Sequence, residues 1–78
     1  MPSPKALLST ALAKASTAVQ LDNAQYHDGA RRYYQEACEL LQQVIARATV
    51  EADREKLKGI RLAYINRIQQ LDDVVPGR

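Results

Sequence analysis

DNAQYHDGARRYYQEA, residues 22–37, decides the fold of this chain. The stretch lies between two alanine-rich and leucine-rich amphipathic segments and opens with a polar joint. Small residues at Gly29, Ala30 and Ala37 let a second helix approach its neighbour closely, while Tyr33 and Tyr34 fill the space beside them. It reads as a tight junction between two long helices.

Upstream, Ser3-Pro4 is a good helix start, because serine caps a free amide and proline at the first helical position loses no hydrogen bond. Leu8, Ala11, Leu12, Ala15, Ala18 and Val19 then recur at spacings of three and four, one face of a helix over about 4–22. Asn23 to Gln25 form the joint, and a second helix follows over 27–47. Its central stripe is Ala30, Tyr34, Ala37, Leu41, Val44 and Ala48, with Tyr33 and Leu40 along one edge and Cys38 and Ile45 along the other. At about 100° per residue this arc is roughly 160° wide, so the second helix must pack against two partners. Downstream, Thr49 is a candidate cap, Glu51 and Asp53 suit the positive end of a third helix over 51–74, and Pro76-Gly77 ends it.

The third helix carries a core stripe of Leu57, Ile60, Tyr64, Ile68, Leu71 and Val75. Leu62 and Ile65 fall outside it, roughly 80° to 140° around from Leu57. Gly59 costs about 1 kcal/mol against alanine inside a helix, and close approach of another backbone is the simplest reason for it. Short joints make successive helices antiparallel neighbours. The predicted fold is all-α, an antiparallel up-down-up three-helix bundle, one domain over residues 1–78 with no strand candidate and no internal repeat.

At 78 residues the core is modest and net stability is a few kcal/mol, too little to support a long catalytic cleft. A single cysteine, Cys38, excludes an internal disulfide and a Cys-rich zinc site, which suits a reducing compartment. No apolar run approaches the roughly 20 residues that span a bilayer, and the N-terminus lacks the layout of a signal peptide. A formal charge of +2 is too small to call for nucleic acid, and Arg31-Arg32, Lys56 and Lys58 are scattered among acids as on a solvated surface. His27 has no second ligand at metal spacing, and Cys38 on an apolar helix edge behaves as a small hydrophobe. The pairs Glu36/Glu39 and Asp72/Asp73 read as surface charge, and the isolated Gly29, Gly59 and Gly77 make no phosphate loop. No catalytic, cofactor or metal residue is assigned. Tyr34 and Tyr64 fall on core stripes rather than on a base-stacking platform. What remains is a surplus apolar edge: Leu62 and Ile65 with Cys38 and Ile45 either line a shallow groove for an amphipathic helix or simply broaden the core.

The residue order resembles the MIT domain, the microtubule-interacting and trafficking module, over essentially the whole chain. Its alanine-rich first helix and terminal aspartate match Ala11, Leu12, Ala18 and Asp22; the opening of its second helix matches His27, Ala30, Tyr34 and Ala37. Leu57, Tyr64, Ile65, Arg67 and Leu71 continue the match. A tetratricopeptide-type helix pair shares the tyrosine and small-residue pattern, but the full-length third helix without a second copy about 34 residues on argues against it.

The resemblance implies a non-catalytic cytoplasmic adaptor, monomeric and free of cofactors. It would bind C-terminal segments of ESCRT-III subunits and recruit an attached effector to endosomal or other remodelling membranes. One family mode lays a helical motif between the second and third helices. There the corresponding residues are Cys38, Gln42, Ile45, Lys58, Arg61, Leu62, Ile65 and Gln69. Another lays an extended, proline-containing strand between the first and third helices, where Ala11 and Ala15 correspond. His27 stands in place of the usual aromatic, with Tyr26 one residue earlier. Asn66 and Gln69 stand where relatives often carry acids, and Arg31 and Gln42 make the second-helix wall polar, which implies weak affinity or a different ligand class. The alternatives are a bundle that self-associates through its apolar edge, and weak attraction of basic residues to anionic membranes.

Overall fold

The computed structural model describes residues 2–74. They form α1 (Pro4–Asn23), α2 (His27–Arg47) and α3 (Glu51–Val74), with no strand among the described residues. The all-α three-helix architecture is the one the spacing predicts.

Local chemistry sets the boundaries. Ser3 Oγ accepts the Ala6 N–H at 3.1 Å, and Pro4 occupies the first helical position. At the far end of α1, Tyr26 N–H donates to the Leu21 carbonyl at 2.9 Å and Gln25 N–H to the Asp22 carbonyl at 3.0 Å. This is a Schellman turn, and Gln25 occupies its left-handed position at φ 67°, where glycine is the usual resident. The paired bonds stop α1 and reverse the chain. At the start of α3, Arg54 N–H bonds to the Val50 carbonyl at 3.0 Å, which makes Val50 the cap residue instead of Thr49. Glu51 and Asp53 occupy the first turn as expected. The expectations for Val75 and for Pro76-Gly77 lie outside the described residues.

α2 is the middle of the molecule. Its 160°-wide apolar arc meets α1 on one side and α3 on the other, and Ala30, Tyr34, Ala37, Cys38, Leu41 and Val44 are buried. α1 presents Ala11, Ala15 and Ala18 as buried residues. Alanines on both faces allow the axes to approach toward the short end of the usual 8–10 Å spacing. Gly29 is part of the same closeness: a Cβ there would stand 3.3 Å from Leu21 Cδ1.

Among the described residues, no Cα of α1 comes within 8 Å of a Cα of α3. This gap corrects the predicted α1 face. Leu12 is 45% exposed and Val19 43%, because they lie on the side that a closed bundle would cover and this one leaves open. Leu7 is buried instead, and Leu21 packs against the core cluster of Ala18, Ala30, Tyr34 and Leu71. The same gap leaves Leu57, Ile60, Tyr64 and Ile68 of the α3 stripe half-buried, with Leu71 alone fully buried. A Cβ at Gly59 would meet nothing within 4 Å, so close approach of a neighbour does not explain this residue. No physical role for it is visible.

Candidate partner-binding site

The three seams between helices differ in how they are closed. At the end where α1 finishes and α2 begins, Asp22 receives a two-pronged bond from Arg67 of α3, Nε to Oδ2 at 2.7 Å and a terminal nitrogen to Oδ1 at 2.6 Å. Tyr34 of α2 donates its hydroxyl to the same carboxylate at 3.4 Å. Tyr64 stacks at a tilt on Tyr34, centroids 5.6 Å apart. One carboxylate thus ties all three helices. The Arg67 bond holds the Asp22 carboxyl below its ordinary range, while burial, helped by Asp22, pushes the Tyr34 phenol up. Planar guanidinium and carboxylate match in geometry, which gives this pair both strength and direction.

The seam between α2 and α3 holds most of the sequence-predicted residues, and it is strapped by polar groups. Arg61 reaches across α2, donating to Gln42 Oε1 at 2.8 Å and to the Cys38 carbonyl at 3.4 Å. Cys38 is buried beneath, its thiol donating to the Arg61 carbonyl at 3.8 Å and raised in pKa by burial. It therefore contributes packing but almost no surface to a ligand. Arg31 bridges to Asp72 at 3.2 Å farther along the seam. Leu62 is 56% exposed, Ile65 and Ile45 are half-buried, and Gln69 is exposed. Lys58 pairs with Glu55 along its own helix at 3.3 Å. The seam offers three apolar side chains, Leu62, Ile65 and Ile45, beside a row of occupied polar straps.

Between α1 and α3 the gap forms a trough with α2 as its floor. Ala11 and Ala15, expected to serve a ligand here, are buried against α2 at 0% and 3% exposure. Their small size sets the depth of the α1–α2 contact, and they present no side-chain surface. The walls come from their neighbours. Leu8 lines a pocket of about 570 Å³ at the open end of the bundle, facing Leu57 of α3 over Val44 of α2, with Val50 at the mouth. Leu12 and Val19 lie within about 40° of Leu8 around α1, so they continue its line up the trough. On α3, Ala63 lies about 20° from the pocket-lining Lys56 by the same rule and keeps that wall low. Residue spacing places Leu8, Leu12 and Val19 in the core. The usable signal is that they sit to one side of the Ala11–Ala15–Ala18 line instead of centring on it.

Cations and acids serve packing elsewhere. Lys14 bridges to Glu36 at 2.8 Å and lies 5.6 Å from the Tyr33 ring centre, closing the α1–α2 seam on its outer side. Among the described residues no three His, Cys, Asp or Glu side chains gather as a metal site. No described helix is long and apolar enough to cross a membrane. The family model for the MIT (microtubule interacting and transport) domain matches residues 8–73. No curated protein and no solved structure matches the chain.

Proposed function

Because the chain belongs to the MIT (microtubule interacting and transport) domain family, whose members are protein-interaction modules, we propose that it captures C-terminal segments of ESCRT-III subunits in the α1–α3 trough. The occupant is an extended, proline-containing strand, and the domain brings an attached effector from the cytoplasm to endosomal or similar membranes. The observation that carries this reading is the separation of α1 from α3, with Leu8, Leu12, Val19 and Leu57 left partly or largely exposed along the opening. Apolar side chains in line along a trough are what an extended peptide covers with alternate residues. A proline-rich strand also gives up little conformational freedom on docking.

The exposed Leu62 beside Ile65 supports a second reading, a helical motif on the α2–α3 seam. That ligand must sit above or displace the Arg61–Gln42 strap, so the mode is the weaker one here.

Titration of isotope-labelled protein with extended and helical ESCRT-III C-terminal peptides, mapped by residue, distinguishes the two. Leu12→Asp is expected to weaken the extended peptide at least about tenfold, the scale of losing one buried leucine contact, with helicity unchanged. Ile65→Asp is expected to leave that peptide unaffected. The opposite pattern moves the site to the α2–α3 seam. A concentration-dependent dimer in sedimentation that Leu62→Asp abolishes would refute the α2–α3 reading in favour of self-association through that edge.

A further inference from the structure

The rim of the trough's pocket is uneven in charge. Lys5 of α1, Arg47 of α2 and Lys56 of α3 line it with one acid, Asp53. Arg47 is anchored, donating to the Pro2 carbonyl at 3.0 Å. Lys5 and Lys56 are exposed, and neither enters an ion pair among the described residues. Elsewhere Lys14 pairs with Glu36, Arg31 with Asp72, Lys58 with Glu55 and Arg67 with Asp22, while Arg61 is held by Gln42 and the Cys38 carbonyl. Positive charge without an ion-pair partner among the described residues thus sits on opposite walls of an opening floored by Val44.

We propose that this pocket selects an acidic peptide segment: an apolar side chain flanked by carboxylates. The apolar group enters between Leu8 and Leu57 over Val44, and the carboxylates meet Lys5 on one wall and Lys56 on the other. The inference rests on the trough reading of the preceding section and adds the charge of the occupant to it. Two rim-exposed ion pairs contribute little each, so their effect is to choose among segments of equal apolar content and to speed encounter. Asp53, on the same wall as Lys56, opposes part of this attraction.

Two labelled synthetic peptides test it on the intact chain. Both are extended and proline-spaced with one central leucine, flanked in one by glutamates and in the other by glutamines. The glutamate peptide is expected to bind about fivefold tighter at roughly 0.05 M salt, and to lose that advantage near 0.5 M, where screening is short-ranged. Exchanging both lysines, Lys5→Glu with Lys56→Glu, reverses the preference while helicity stays unchanged, since both side chains are exposed. If both peptides bind equally and perturb Leu8 and Leu57, the trough reading stands and the charge inference is overturned. If neither perturbs those residues, the trough reading fails and the inference falls with it. Equal peptide binding together with salt-sensitive pelleting on phosphatidylserine vesicles would assign the lysines to a membrane surface, which also overturns it.

Discussion

The two ends of this bundle are built on opposite terms. Where α1 meets α2, Asp22, Tyr34 and Arg67 draw three helices onto one carboxylate, and Ala18, Ala30 and Leu71 form a buried cluster with Tyr34 beside them. At the other end α1 and α3 stand apart over a pocket lined by Leu8, Val44 and Leu57. A chain this short has a small store of apolar area; α1 and α2 bury theirs along their whole contact, from Leu7 and Val44 to Ala18 and Ala30, whereas α3 buries Leu71 at the tied end. The other end keeps Leu8 and Leu57 half-buried, in reach of a partner. Stability and binding are therefore separable along α3.

The largest expected effect tests that separation directly. Leu71→Ala removes a fully buried side chain and is expected to destabilise by about 3 kcal/mol, in the range for leucine truncation in a packed core. Leu57→Ala, at a half-buried position of the open end, is expected to cost about 1 kcal/mol. Urea unfolding of both variants reports the difference. Equal losses would erase the distinction between the ends.

Next in size is the carboxylate itself. Asp22 is 12% exposed and Arg67 39%, which places the pair between exposed bridges worth under about 1 kcal/mol and buried ones whose disruption costs about 3–5 kcal/mol. Arg67→Ala is expected to lose about 2 kcal/mol on that scale. The folded-state pKa of Asp22 is lowered from 3.8, so its contribution is complete above that value. It fades as pH falls below 3.8 toward the folded value. Acid unfolding of Asp22→Asn compared with the parent should show the parent losing its advantage across that window. A parallel pair of curves would mean the bridge contributes nothing.

The smallest effect compares two glycines. Gly59→Ala is expected to stabilise by about 0.5–1 kcal/mol, the helix-propensity gain, because a methyl there meets nothing. Gly29→Ala gains less, since its methyl must displace the Leu21 Cδ1 atom at 3.3 Å. Melting curves that rank the two the other way would show that the α1–α2 contact near the joint is looser than its geometry.

Much of this is legible in the residues. Ser3-Pro4, the joint at Asn23–Gln25 and the wide arc of α2 determine three helices and the central position of the second. Periodicity reports a face but not whether a third helix will cover its flank. For that reason it places Leu12 and Val19 in the core. Family resemblance matches Ala11 and Ala15 to a ligand, although methyl groups facing α2 are used up in packing. The Asp22–Arg67 bridge joins residues 45 apart, and no local pattern carries such a pairing. Resemblance alone singles out both residues, without their contact.

That separation of 45 residues has a kinetic meaning. The α1–α2 and α2–α3 hairpins close over short joints, whereas bringing Arg67 to Asp22 waits until both hairpins have formed. The bridge therefore belongs to the late side of the folding barrier. It does little to hasten folding, and by slowing escape from the native state it lengthens the molecule's folded lifetime.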